Sequence, residues 1–336
     1  MAAASLRIPH AAKADAGQNE PRASGVGVVE TLLGPLDVSK LGFTLSHEHV
    51  CYIPKGLFTE RTIAVTRMVE KLKEAKTSGV DTIIDLTTSD VWRDVRFGEE
   101  VSRKSGMQIV AATGFRFAPE SYNAQTVEQI AEFFIREIEK GIDDTGIKAG
   151  VIKAAAVAGV VTPAEEQGFK AAARAHKATG VPIETHTDAG HRGGEMQADI
   201  LEAEGVSPAR VSLGHSDDTD DVNYLMGLAK RGYTIGIDHV FWGAVKLEKG
   251  QPDYVRYLRQ IPWHQRAGYV KQLIDAGFGD KIFLSNDWEL ERERMNPDAF
   301  LFNTRKTIPY LRQLGVSENE IHTITVDNPR RFFGRG

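Results

Sequence analysis

From Val26 onward, short apolar runs alternate eight times with longer amphipathic patterns. FTLSHEH (43–49), DTIIDLT (81–87), QIVAATG (108–114), GVIKAAA (150–156), VPIETHT (181–187), RVSLGHS (210–216), YTIGIDH (233–239) and KIFLSND (281–287) read as strands. The stretches between them predict helices over 61–78, 93–105, 126–140, 163–178, 193–204, 219–231 and 264–276, with an eighth over 303–314. Nearly continuous apolar strands separated by helices make a parallel sheet covered on its faces. Eight such units in one chain favour a closed (β/α)8 barrel, a TIM barrel, over an open sheet. The segment VGVVETLLGPLDV ahead of the series predicts a short β-hairpin around Gly34-Pro35. ITVDNPRRFF at the end predicts a closing helix with Asn328 as its cap and Pro329 in its first turn. No linker divides the series, so residues 26–336 are expected to form one domain. Residues 1–25 are small, polar and low in complexity, and read as a flexible tail or the remainder of a trimmed leader.

Composition excludes several functions. The 336 residues carry a net charge of −5, and no lysine or arginine block forms a nucleic-acid footprint. The basic residues around Arg292 and Arg294 alternate with acids and read as a solvated face. No apolar stretch approaches the roughly 20 residues of a membrane span. Cys51 is the sole cysteine, which rules out an intrachain disulfide and a cysteine-based zinc site. It reads as a small buried residue.

Position singles out the reactive side chains. His47 and His49 close the first strand and Lys153 lies on the fourth. His186 closes the fifth and His215 the sixth; Asp238 and His239 close the seventh, and Asp287 the eighth. The C-terminal strand ends form the active-site face of such a barrel. Five of the ten histidines fall there, from four strands. Each has a structural alternative: a strand-end histidine as a hydrogen-bonded rim residue, an aspartate as a helix cap, a lysine that snorkels. Strand alternation points His47 and His49 to one side and Glu48 to the other, into the barrel wall or an ion pair. Imidazole and carboxylate suit zinc and similar divalent ions. Four histidines with Asp287 exceed one tetrahedral catalytic site and suit two adjacent ions if something bridges them. Lys153 is the misfit, since an ammonium would be repelled by two dications. Carbamylation by carbon dioxide would make it an anionic bridge.

GFTLSHEH, the lysine of GVIKAA, PIETHT, GHSDDTDD, IGIDH and LSNDW occur in that order. With these motifs the chain resembles the phosphotriesterase family of the amidohydrolase superfamily, from about Val29 to Phe333. The resemblance implies a binuclear centre of two divalent ions, zinc first, with cobalt or manganese able to substitute. His47, His49 and Asp287 would hold the buried ion, and His186 and His215 the more exposed one. Lys153, as N6-carboxylysine, and a hydroxide would bridge them. Asp287 would take a proton as the hydroxide attacks and pass it to His239 and then Asp218, both relay positions and not ligands. Asp218 has a competing reading as a helix cap, with Asp217 and Asp220 as other candidates. Asp238 would support the turn after the seventh strand.

The resemblance further implies a small-molecule ester substrate and a homodimer. GHSDDTDD, IDH and SNDW resemble the organophosphate triesterases (aryldialkylphosphatases) more than the lactonases. Two departures favour the alternative, a lactonase or carboxylesterase with promiscuous triesterase activity. Arg116 stands where triesterases carry an aromatic wall, and would meet a carbonyl, an anionic group or solvent. The segment after SNDW is also shorter. Phe117 and Trp242 are the better candidates for an apolar pocket. Phe241 is a further candidate, while Tyr254, Tyr257 and Trp263 read as core or interface packing. A non-catalytic barrel that binds or scaffolds is the reading from another class; such a protein has no reason to keep the ligand set.

Overall fold

The structure is a computed structural model that describes residues 27–334 except 59, 247–249 and 251–252. The expected tail over 1–25 lies outside the described residues. Strands β1 (Val28–Thr31) and β2 (Gly34–Asp37) pair antiparallel, with Thr31 opposite Gly34. The hairpin turns at Leu32-Leu33, not at Gly34-Pro35. Leu32 is buried and its amide donates to Ile109 O (2.8 Å), so packing against the barrel draws Leu32 into the turn while Leu33 stays exposed.

The barrel strands are β3 (Thr44–Glu48), β4 (Thr82–Asp85), β5 (Gln108–Gly114), β6 (Val151–Ala155), β7 (Ile183–His186), β8 (Val211–Gly214), β9 (Thr234–Ile237) and β10 (Ile282–Leu284). They lie parallel in sequence order. Closure between β10 and β3 comes from Asp287 N donating to His47 O (2.9 Å) and His49 N donating to Trp288 O (2.8 Å). The (β/α)8 barrel and its N-terminal hairpin are as expected from sequence.

Most strands stop short of the apolar runs that announce them. His215 and Asp287 adopt left-handed backbone angles (φ 58° and 47°), which a strand ladder does not accommodate. The reactive side chains therefore sit mostly on the turns that leave the strands.

Helices α1 (Arg61–Thr77), α2 (Val95–Ser105), α3 (Val127–Glu139), α4 (Pro163–Thr179), α5 (Gly193–Ala203) and α6 (Val222–Arg231) follow the first six barrel strands. Helix α4 begins with a capping box, Thr162 with Glu165, and Pro163 in its first turn. The cap of α6 is Asp221, which accepts from Tyr224 N (3.1 Å). None of Asp217, Asp218 or Asp220 serves that role. The long seventh loop contains an unexpected short helix, α7 (Asp253–Leu258), before α8 (Trp263–Asp275).

The expected helix over 303–314 is a wide π turn, Asn303–Thr307, followed by α9 (Ile308–Gln313). Helix α10 (Glu318–His322) likewise runs through a π turn, Thr323–Asp327, into α11 (Asn328–Phe333). Each π turn precedes a proline, Pro309 or Pro329. A widened turn accommodates a ring that has no N–H to donate. Asn328 is helical and caps nothing; its Nδ2 donates to Gly279 O and Ile282 O and ties α11 to the barrel floor.

Alternation divides the apolar side chains of the strands. Ile83, Ile109, Ile152, Leu213 and Ile235 pack in the large cluster with the helices. Ile84, Val110, Ala112, Val151 and Phe283 join Val29, Phe332 and Phe333 in a second cluster that fills the barrel floor.

Glu48 faces away from the flanking histidines, as alternation requires, and makes no ion pair among the described residues. Its carboxylate accepts from Ser285 Oγ (2.7 Å), Asn286 N (2.9 Å), Asn286 Nδ2 (3.2 Å) and Trp288 N (2.7 Å), clasping the loop that carries Asp287. Each buried donor left unanswered costs about 1–3 kcal/mol. Glu48→Ala is therefore expected to lower stability by at least ~3 kcal/mol, read as a fall in the guanidinium unfolding midpoint. An unmoved midpoint would show that the clasp contributes nothing.

Candidate metal centre

The strand ends gather the six expected ligands into one buried cluster. Lys153 Nζ lies 2.8 Å from His47 Nε2. Asp287 Oδ1 lies 3.2 Å from His49 Nε2 and 3.7 Å from His47 Nε2. The His215 ring centre is 4.6 Å from that of His47 and 4.2 Å from that of His186. His47 and Lys153 are fully buried and His186 is partly exposed, which suits an inner and an outer position.

Outer contacts orient these rings. His215 Nδ1 lies 2.8 Å from Asp238 Oδ1, and Asp238 also accepts the His215 backbone N–H. His49 Nδ1 bonds Thr87 Oγ1 (3.1 Å). His47 Nδ1 is 3.1 Å from Asp238 Oδ2 and 3.5 Å from Glu184 Oε1, close contacts without hydrogen-bond alignment. In each case Nδ1 meets its partner and Nε2 is left for the centre, the arrangement that metal-binding histidines adopt. Asp238 thus does more than support a turn: it steadies two expected ligands.

Among the described residues, two sets of three bring ligand atoms within 4.8 Å of one another: His47, His215 and Asp287, and His215, Asp238 and His239. Both ring nitrogens of His239 are taken by Asp218 and Asp287, whereas Asp287 Oδ1 faces His47 and His49, so the first set is better suited to a metal. Lys153 also fits. Burial chiefly, with the Arg116 charge, pushes its amine down to about 8 against the pull of Glu184. The neutral amine is the form that adds carbon dioxide. An ammonium at this distance would instead occupy the Nε2 of His47 that a metal requires.

Asp287 uses its second oxygen differently. Oδ2 lies 2.9 Å from His239 Nε2, and His239 Nδ1 lies 2.8 Å from Asp218 Oδ2. Burial opposes a charge on His239, but Asp218 and Asp287 on either side outweigh it and push the ring up to about 10. His239 stacks on His215 with ring centres 4.0 Å apart. Asp217 lies off this chain and accepts the backbone N–H of His239.

Two arginines complete the network, and sequence reasoning missed both roles. Arg266 on α8 is buried and donates to Asp218 Oδ1 (2.6 Å) and Asp217 O (2.7 Å), fixing the carboxylate that faces His239. Nothing local to residue 266 announces this. Arg292, expected on a solvated face, is instead largely buried. It donates to Asp287 Oδ2 (2.6 Å) and Glu289 Oε1 (2.5 Å), and its guanidinium lies 5.1 Å from the centre of the Trp242 ring. The alternating charges of ELERER conceal it, because a partner 5 residues back in sequence is brought close by the turn at Asp287. Glu184 was also missed. It is fully buried beside His47, and burial holds its carboxyl well above the usual range.

The pocket candidates divide. Arg116 points inward: its Nη1 is buried and its charge acts on Lys153 and His186. Phe117 is exposed beside it, with the guanidinium 4.6 Å from its ring centre. Trp242 is buried beneath Arg292, its ring centre 6.2 Å from that of His239 in a T-shaped contact. Phe241 is buried, and Trp263 packs on Phe302 and Tyr310. Tyr254 meets Trp242 edge to face, and Tyr257 O–H approaches Asp218 O (3.4 Å).

The sequence profile of the phosphotriesterase family matches residues 27–333. The chain belongs to the phosphotriesterase family. Among its relatives, a phosphotriesterase homology protein of Mycobacterium tuberculosis is 34% identical over 333 residues, 91% of this chain and 98% of the relative. An aryldialkylphosphatase of Saccharolobus solfataricus is 33% identical over 321 residues, 89% and 96% of the two chains. An N-acetyltaurine hydrolase of Xenopus tropicalis is 24% identical over 345 residues, 91% and 97% of the two chains. Family and relatives point to a hydrolase. No helix among the described residues is long and apolar enough to cross a membrane.

Proposed function

We propose that this chain is a binuclear-metal hydrolase of small esters, organophosphate triesters among them. The observation that carries this reading is the unbroken contact series from His49 through Asp287 and His239 to Asp218, beside His47, His49 and His215, whose Nδ1 atoms meet outer partners and leave Nε2 toward the centre. His47, His49 and Asp287 would hold one ion and His186 and His215 the other, with carbamylated Lys153 between them. When bound, such ions polarise the ester oxygen and lower the pKa of water toward neutrality.

The chain's own residues then manage the proton. Asp287 turns Oδ1 to the ligand histidines and Oδ2 to His239, so one carboxylate can serve both tasks. Arg292 holds Oδ2 in place. A proton reaching His239 rests between two carboxylates and leaves through Asp218, whose orientation Arg266 maintains. Trp242 and Arg292 lie over the Asp287–His239 part of this path.

Triester hydrolysis is supported by the strand-six to strand-eight motifs and by the aryldialkylphosphatase relative. Hydrolysis of lactones or other carboxylic esters is a second reading, favoured by the inward course of Arg116. Protein of measured metal content tested on an aryl dialkyl phosphate, a lactone series and aryl carboxylates separates them. Turnover of at least one class is expected. Fully metallated protein that hydrolyses none would favour a binding barrel instead.

A further inference from the structure

Arg116 lies near Lys153 and His186 without a counter-ion among the described residues. Its Nη1 is buried and has no hydrogen-bond partner, and its guanidinium makes no ion pair among the described residues. The nearby acids are already engaged. Asp90 accepts the backbone N–H groups of Arg116 (3.0 Å) and Phe117 (2.6 Å) and the Thr88 hydroxyl (2.6 Å). Glu289 is held by Arg292, and Asp287 by Arg292 and His239. The Phe117 ring lies against the guanidinium, whose edge N–H donors include the unpartnered Nη1.

A buried polar group without a partner is costly, and a buried charge more so. A neutral carbonyl would satisfy the hydrogen bond and leave the charge; an oxyanion answers both. Planar guanidinium edges pair with carboxylates through two parallel hydrogen bonds.

We infer that Arg116 is a specificity residue for a carboxylate on the substrate, held at the pocket mouth away from the scissile bond. Accordingly the preferred substrate is an anionic carboxylic ester or lactone, and neutral triesters are turned over on their reactivity alone. This rests on the proposed hydrolytic centre and adds the class of substrate it takes.

A matched pair of esters tests it: mono-4-nitrophenyl hexanedioate, which carries a free carboxylate, and 4-nitrophenyl hexanoate, of the same chain length without one. Metal-loaded wild type is expected to favour the anionic ester at least ~10-fold in kcat/KM, mainly through KM. Arg116→Gln should bring the ratio near 1, and Arg116→Lys should retain part of it. A wild-type ratio near 1, or a preference that persists in R116Q, overturns the inference while leaving the hydrolytic reading intact. Calorimetric titration of both proteins with hexanedioate does not depend on turnover. Weaker binding to R116Q supports the inference and equal binding overturns it, even if neither ester is hydrolysed.

Discussion

Lys153→Ala is expected to leave the protein with less than one metal ion per chain and to lower turnover by at least ~100-fold, the scale on which lost metal support acts. Lys153 is fully buried beside His47 Nε2. A short carboxylic acid supplied in solution should enter the vacated volume and restore part of both metal and activity. Elemental analysis before and after the addition separates two failures. A fully metallated, active K153A protein would end the carbamate proposal. A metal-poor protein that no carboxylic acid rescues would leave Lys153 as a structural residue.

His239→Asn should act differently. It keeps a hydrogen-bonding side chain in place but removes the imidazole that joins Asp287 Oδ2 to Asp218 Oδ2. Positioned proton transfer commonly contributes about 10²–10⁴ in rate. A fall in kcat within that range is expected, with metal content at the wild-type level. The metal measurement decides between the two triads that could hold an ion. Loss of metal from H239N would make His239 a ligand with His215 and Asp238. Retention of metal with a low kcat supports the relay, and retention of both would remove His239 from the mechanism.

The legible and illegible parts of this site differ in kind. His47, His49, Lys153, His186, His215 and Asp287 could be singled out because each lies on or just beyond a strand that announces itself by its apolar run. A closed barrel brings all such ends to one rim. Glu48 was legible too, since a two-residue period sends it opposite its neighbours. Arg292 was misread because alternating charge describes a solvated face only when the backbone stays outside; here the left-handed turn at Asp287 folds the segment back over the site. Asp221, not an earlier acid, caps α6 because that helix begins later than its apolar pattern suggests.

By itself, the sequence determined the barrel, its order of strands and the ring of metal-suited side chains at its C-terminal rim, because periodicity and spacing are local properties that every unit repeats. Only the tertiary structure decided what each of those side chains touches. Asp238 steadies two histidines, Arg266 reaches Asp218 across 48 residues, and Arg116 turns inward without a counter-ion among the described residues. Such contacts depend on barrel closure and loop return, which join residues distant in sequence, and no local pattern encodes them.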